Sequence, residues 1–112
     1  MVFSLETDEN TLYVFPDEKS AIAYCEGVDV ADGLWVFFGS DGCPLEPVFT
    51  EPAYCQGFTA SNGKYFLRPA LAVYENYLQA ILPNIAAVDG IPPYDSVAAI
   101  KLLLTAQSTR TG

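Results

Sequence analysis

Residues 34–38 read LWVFF, five apolar residues in succession between two acidic, glycine-containing segments, VDVADG and GSDGCPLE. A strand that is apolar at every position buries side chains on both faces of its sheet. We therefore expect LWVFF to be a central strand that is covered on both sides, or on one side and part of the other. The acidic segments beside it are expected to be exposed loops, where binding residues often lie.

The other predicted strands are short runs of β-forming residues separated by turn residues. Gly42 suits a tight turn after LWVFF, and Asn62-Gly63 between two short runs is the strongest hairpin signal in the chain. Because Pro44 and Pro47 lack an N–H, the strand after the first turn should lie at an edge or be irregular at its start. The predicted strands are residues 12–15, 34–38, 45–50, 56–60 and 65–68.

One short helix is predicted after the first strand, and two more in the C-terminal part of the chain. Asp17 and Glu18 place acids in a first turn, and Gly27 supplies a stop. The apolar face of this helix is Ala21, Ile22 and Cys25. The second helix starts after Pro69, carries Leu71, Tyr74, Leu78, Ile81, Leu82 and Ile85, and ends near Pro83; the third, capped by Asp95 or Ser96, carries Val97, Ile100, Leu103 and Leu104.

The order of these elements is typical of an α+β domain. We expect an antiparallel meander sheet of about four to five strands, with the short N-terminal helix and the two C-terminal helices packed on it. Residues 28–33 and 89–93 are expected to be loops. A chain of 112 residues without an internal repeat fits a single domain, residues 1–112.

The net charge of −9 is distributed unevenly along the chain. Residues 1–51 contain eleven acids and one base, whereas residues 52–112 contain three acids and four bases. Because the acidic half repels phosphates, the charge argues against nucleic acid as a direct ligand and permits a basic protein as partner. The alternative is that the charge serves solubility alone.

The reactive side chains do not predict catalysis. The chain has no histidine, which excludes Ser-His and Cys-His nucleophiles and histidine metal sites. Cys25 is expected near a helix C-terminus beside Glu26, which would raise its thiol pKa, and Cys43 and Cys55 lie near prolines and acids. We therefore expect buried or half-buried free thiols, no metal, no cofactor and no enzymatic activity.

The aromatic residues divide into predicted core and predicted surface. Tyrosine suits protein interfaces because its ring is apolar and its hydroxyl is polar. Stacking of nucleic-acid bases on the rings is disfavoured by the acidic field. Expected in the core are Trp35, Phe37, Phe38, Phe49, Phe58 and Phe66, and expected to be partly exposed are Tyr13, Tyr54, Tyr65 and Tyr94.

No part of the sequence predicts a membrane segment or a leader. No apolar run has the length of a membrane-spanning helix. The N-terminus, MVFSLETDENTLYVF, lacks the basic and apolar regions of a signal peptide. The expected location is therefore the cytoplasm, with no membrane partner.

Three segments within residues 12–67 resemble a known group of small bacterial proteins. They are LYVFPDEKSAIAYCEGVDVADGLWVFF, DGCPLEPVFTEP and SNGKYFL, which together cover about half of the chain. On these segments the chain resembles the immunity proteins of polymorphic toxin systems, including contact-dependent growth inhibition systems. The resemblance implies a cytosolic protein that binds one cognate toxin domain, often a nuclease, and blocks its active site or substrate surface.

Under this interpretation the acidic loops form the candidate interface. Nuclease toxins bind phosphates and are commonly basic, so the carboxylates of an inhibitor can occupy the same groove. The candidate partner-binding residues are Asp29, Asp32, Asp41, Glu46 and Glu51, with Asp17 and Glu18 extending the patch. An apolar patch near Tyr54 is a further possible interface. Two other classes stay open, a nucleic-acid mimic that binds several basic proteins and an adaptor subunit with an apolar interface, such as a homodimer.

Overall fold

The computed structural model describes residues 1–70 and 77–110, with side chains up to residue 106, and these residues form eight strands and four α-helices. The strands are β1 (Val2–Glu6), β2 (Thr11–Phe15), β3 (Trp35–Gly39), β4 (Pro44–Glu51), β5 (Tyr54–Gln56), β6 (Thr59–Ser61), β7 (Lys64–Pro69) and β8 (Ala87–Asp89). The helices are α1 (Glu18–Tyr24), α2 (Gly27–Ala31), α3 (Tyr77–Ile81) and α4 (Val97–Arg110), and a 3₁₀ turn follows α3 at Leu82–Asn84.

Six of the strands form one mixed sheet in the order β7-β4-β3-β1-β2-β8, in which only β2 and β8 are parallel neighbours. β5 and β6 form a separate antiparallel hairpin. The prediction of an α+β fold with a mostly antiparallel sheet is confirmed. The predicted meander of four to five strands is wrong, because β8 joins the sheet in parallel and β7 pairs with β4.

The central position predicted for LWVFF is confirmed, since β3 lies between β4 and β1. Phe37 and Phe38 are 1% and 0% exposed, and as successive strand residues they point to opposite faces. Each therefore belongs to a different core. The core around Phe38 contains Phe3, Leu5, Leu12, Val14, Leu78, Leu82, Ile100 and Leu104, and the core around Phe37 contains Val2, Ala21, Cys25, Val30 and Tyr65.

The strands β1 and β8 are absent from the sequence prediction. The sequence pattern of β1 is weak because the buried Ser4 interrupts its apolar residues. In the structure β1 pairs on both sides, with Phe3 opposite Val14 of β2 and Phe38 of β3. β8 has three residues, too few for a periodic pattern, and forms by pairing with the start of β2. Both strands therefore depend on neighbours that are distant in sequence.

The predicted Asn62-Gly63 hairpin is wrong, because the segments on its two sides do not pair with each other. The tight turn lies earlier, between β5 and β6. Gly63 has a positive φ of 62°, but glycine is required there because two chain segments lie close together. A Cβ at this position would lie 2.3 Å from the carbonyl oxygen of Glu51. The Asn62 side chain accepts a hydrogen bond from the Val28 N–H at 3.3 Å, which ties this segment to α2.

The strand β4 is not an edge strand, contrary to one of the two predicted arrangements. It lies between β3 and β7, and the edge is β7. The irregularity expected at its start lies further along instead, because Pro44 and Leu45 pair with β3, the pairing with β3 extends no further, and the register with β7 shifts between Phe49 and Glu51. A proline cannot donate to a ladder, so the two strands separate soon after they meet.

The helix α1 matches its prediction, whereas α2 replaces a predicted loop. The Asp17 carboxylate accepts the Ser20 N–H at 2.7 Å as the cap of α1, and Ala21 is buried against the sheet. Gly27 starts α2 instead of ending α1. The absence of a side chain is required there, since a Cβ would lie 1.7 Å from the Asn62 carbonyl oxygen.

The C-terminal helices lie on the sheet face opposite to α1 and α2, so the sheet is covered on both sides. Ser96 caps α4 by accepting the Ala99 N–H at 3.1 Å, and Ile100 and Leu104 are buried as predicted. The predicted second helix is described only from Tyr77, and its residues Leu71 and Tyr74 lie outside the described residues.

We predict that Tyr65→Phe lowers the free energy of unfolding by about 1–3 kcal/mol. The Tyr65 hydroxyl donates to the Cys25 carbonyl at 2.6 Å inside the core, and its loss leaves that carbonyl buried without a partner. Urea denaturation of both proteins measures the difference. The matched control is Tyr54→Phe at an exposed tyrosine, which should change stability by less than about 0.5 kcal/mol. Equal effects of the two substitutions would contradict a stabilising role for the hydrogen bond between Tyr65 and Cys25.

Candidate functional site

Two of the seven carboxylates predicted to bind a partner form ion pairs across β4 and β7. Glu46 accepts from the Arg68 Nε at 2.6 Å, and Glu51 lies 3.6 Å from the Lys64 Nζ. All four side chains are at least one-third exposed. Exposed pairs of this kind contribute roughly 0–1 kcal/mol each, so a partner can replace either cation at low cost.

Three more of the predicted carboxylates accept backbone N–H groups within the chain. Asp17 caps α1, and Asp41 accepts the Cys43 N–H at 3.0 Å in the β3–β4 turn. Glu18 accepts the Leu67 N–H at 2.7 Å. These carboxylates hold local structure, so each has a role in the fold.

The contact of Glu18 with Leu67 also satisfies a backbone N–H on the exposed edge of β7. In the β4–β7 pair the Ala70 N–H donates to the Pro44 carbonyl, so every second N–H, including that of Leu67, points away from β4. Pro69, two residues further, has no N–H. The edge therefore offers few free donors to a strand of another chain.

The seven predicted carboxylates do not form one patch. The Leu34 N–H donates to the Asp29 carbonyl at 3.0 Å, which places Asp29 and the nearby Asp32 where β3 begins. Asp41 lies in the turn after β3 ends. A strand of five residues spans about 17 Å, so Asp41 is separated from the other two by that length.

A different group of acids joins Asp32. The β1–β2 turn carries the exposed residues Asp8 and Glu9, and its Thr7 N–H donates to the Leu34 carbonyl at 2.9 Å. The turn therefore lies beside the end of α2. We call Asp8, Glu9 and Asp32 the acidic end of the sheet. Asp8 and Glu9 are missing from the sequence-based candidates because only the β1–β3 pairing brings them to Asp32.

Four aromatic rings form a cluster on the face that α1 and α2 partly cover. Tyr24 is 53% exposed and the other three are half-buried, so the cluster is part of the molecular surface. Its members are Tyr13, Phe15, Tyr24 and Trp35, and the ring centroids of Tyr13 lie 5.2 Å from Tyr24, 5.3 Å from Trp35 and 6.4 Å from Phe15. We call these four residues the aromatic cluster.

The polar surroundings of the aromatic cluster are negative. A hydrogen bond with Tyr24, then burial, then the charges of Tyr24, Glu6 and Asp89 raise the pKa of Tyr13 to about 12. Glu6 is paired opposite Trp35 in the β1–β3 register, and Asp89 opposite Tyr13 in the β2–β8 register. Tyr13 thus lies beside two carboxylates and the exposed Tyr24. This arrangement suits binding of a cation.

The predicted burial of several aromatic residues is wrong. Phe58, at the turn of the β5–β6 hairpin, is fully exposed, and Phe66 is 43% exposed, whereas both were expected in the core. Tyr65 is buried, although partial exposure was expected. Tyr54 and Phe58 together give the β5–β6 hairpin an exposed apolar surface near Tyr54.

The thiols are free, and their settings differ. Burial, with a smaller addition from the charge of Asp29, raises the pKa of the Cys25 thiol to about 12. The expected direction is confirmed, but burial and not the helix end is the main cause. Cys43 is half-buried and Cys55 is exposed, which corrects the expectation that all three are covered. Within residues 1–70 and 77–110 no cluster of acidic or thiol side chains could hold a metal ion.

Comparisons with known proteins found no match to this chain. No family model matches the chain, and neither a curated protein nor a solved structure matches it. In the part of the chain that the structure describes, no helix combines the length and apolarity needed to cross a membrane.

We predict that the stabilisation by Asp17 depends on pH. Hydrogen bonds from Ser20 hold the pKa of Asp17 below its ordinary value. The contribution is complete above the unfolded pKa, about 4, and is lost as the pH falls through the lower folded pKa. Urea denaturation from pH 7 to about pH 2 should therefore show Asp17→Ala less stable than the native chain at neutral pH, with the difference shrinking in acid.

The matched control for this titration is Asp17→Asn, which keeps a capping oxygen but carries no charge. Its stability relative to Asp17→Ala should stay constant over the same pH range. A difference between the native chain and Asp17→Ala that is constant down to the lowest pH would contradict the prediction.

Proposed function

We propose that the protein is an immunity protein, which binds a cognate toxin domain of the nuclease class and blocks it through acidic surface. The observation that carries the proposal is the excess of carboxylates over cations. Of the eleven acids in residues 1–51, only Glu46 and Glu51 form ion pairs within the described part of the chain. The acidic end of the sheet therefore keeps its charge available for another molecule.

In this proposal the carboxylates take the place of phosphates in the basic groove of the toxin. Opposite fields accelerate the encounter, and a few desolvated contacts set how long the complex lasts. Asp29 and Asp32 are the predicted contacts that lie nearest to Asp8 and Glu9. Glu46 and Glu51 can exchange their exposed intramolecular partners for cations of the toxin. The protein acts by occupying a surface and has no catalytic step.

A nucleic-acid mimic that binds many basic proteins is the competing function. Its binding would depend almost entirely on charge and would be lost steeply as salt increases. An immunity complex, in contrast, should keep its partner in high salt through buried contacts. Salt dependence and the number of partners therefore separate the two functions.

The test of the proposed function is capture followed by co-expression. The tagged protein is incubated with lysate of its native source, washed at low and then high salt, and the retained proteins are identified by mass spectrometry. The retained protein is then expressed in a bacterial host with and without this chain. One stoichiometric partner that stops growth alone and not in the presence of this chain supports immunity. A release of many basic proteins by salt, or a partner without toxicity, overturns it.

We predict that the triple variant Asp8→Asn, Glu9→Gln and Asp32→Asn slows association with the captured partner about tenfold at low salt. The three substitutions keep side-chain shape and remove only charge at the acidic end. Surface plasmon resonance at two salt concentrations measures the rate. Asp41→Asn, at the other end of β3, is the control and should leave the rate within about twofold. Equal rates for the two variants would exclude the acidic end from the interface.

A further inference from the structure

The aromatic cluster presents apolar ring surface at the edge of the face that carries α1 and α2. Tyr24 contributes from the last turn of α1, with its centroid 5.9 Å from Trp35 and 5.6 Å from Phe15. The two strand residues Tyr13 and Trp35 lie beneath it, with their centroids 5.3 Å apart. Rings from one helix and two strands thus meet at the surface, where aromatic side chains are common anchors of protein interfaces.

Two carboxylates lie directly beside these rings. The strand register sets Glu6 opposite Trp35 and Asp89 opposite Tyr13, and both charges act on the Tyr13 hydroxyl. Neither carboxylate forms an ion pair with the side chains that the structure describes. The surface therefore combines the exposed Tyr24 and three half-buried aromatic residues with negative charge that no described side chain neutralises.

The cations of the described residues lie elsewhere in the fold. Lys64 and Arg68 are paired with acids of β4. Lys101 lies on α4, which packs on the opposite face of the sheet. Lys19 lies in the first turn of α1, whereas Tyr24 is its last residue. Among the side chains up to residue 106 that the structure describes, no lysine or arginine is therefore paired with the aromatic cluster.

We propose that the aromatic cluster, with Glu6 and Asp89, binds arginine side chains of a basic segment of the partner protein. A guanidinium is planar, stacks on aromatic faces and donates through a fork that matches carboxylates. An arginine over the rings can therefore contact Tyr24 or Trp35 with its flat face and a carboxylate with its edge. The inference rests on the proposed function in one respect, namely that the basic segment belongs to the toxin domain.

Trp35 makes the binding directly measurable, because it is the only tryptophan of the chain. The probe is a synthetic peptide of alternating arginine and glycine, and the control peptide has citrulline in place of arginine, which keeps the shape without the charge. The arginine peptide should change the Trp35 emission in a saturable manner, and the citrulline peptide should not. The same response to both peptides, or no response to either, overturns the proposal.

Variants of the chain test which residues hold the arginine. Glu6→Gln together with Asp89→Asn, and separately Tyr24→Ala, should each weaken binding of the arginine peptide about three- to tenfold. Tyr54→Ala at a comparably exposed tyrosine is the control and should leave the affinity unchanged. Thermal unfolding shows whether each variant is folded. If Tyr24→Ala does not fold, the Glu6→Gln, Asp89→Asn variant alone tests the site. Unchanged affinity in a folded site variant overturns the proposal.

Partner capture with a site variant separates this inference from the proposed function. The native chain and the Glu6→Gln, Asp89→Asn variant are compared in capturing the retained partner. If the native chain captures a toxin and the variant captures it equally well at limiting concentration, immunity stands and the aromatic site is wrong. If the arginine peptide binds at Trp35 but the captured partner is not toxic, the aromatic site stands and immunity is wrong.

Discussion

The burial of Phe37 and Phe38 on opposite faces of β3 is the constraint on which the remaining structure depends. Successive residues of a strand point to opposite sides, so one dipeptide belongs to two separate cores. Each core must be closed by helices, since an apolar sheet face cannot remain in water. The position of α1 and α2 on one side and of α3 and α4 on the other follows from this requirement.

Acidic side chains satisfy backbone N–H groups at the edge of the sheet, at the start of α1 and in the β3–β4 turn. The outward N–H of Leu67 on the edge strand is covered by Glu18, and Asp17 and Asp41 accept further backbone N–H groups. A backbone donor that lacks water or a partner costs free energy, so these carboxylates are part of the fold. The acidic composition therefore has two physical roles, one internal to the chain and one available at the surface.

The surface charge is concentrated where chain segments meet that are far apart in sequence. The hydrogen bond of Thr7 to Leu34 brings the β1–β2 turn to the end of α2, and the β2–β8 pairing brings Asp89 beside Tyr13. Like charges near one another repel, which costs stability unless a cation from another molecule is present. The charges of Glu6 and Asp89 lie beside Tyr13 and make the neighbouring rings suitable for a cation.

The sequence by itself determined the central strand, the helix after Pro16, the cap and buried face of α4 and the acidic character of the first half of the chain, because each depends on local pattern. Only the tertiary structure decided the rest. β1 and β8 form because distant strands supply their hydrogen bonds, and Asn62-Gly63 serves a close approach instead of a hairpin because β7 finds its partner in β4. Asp8 and Glu9 join Asp32 for the same reason: strand register places side chains together whatever their separation along the chain.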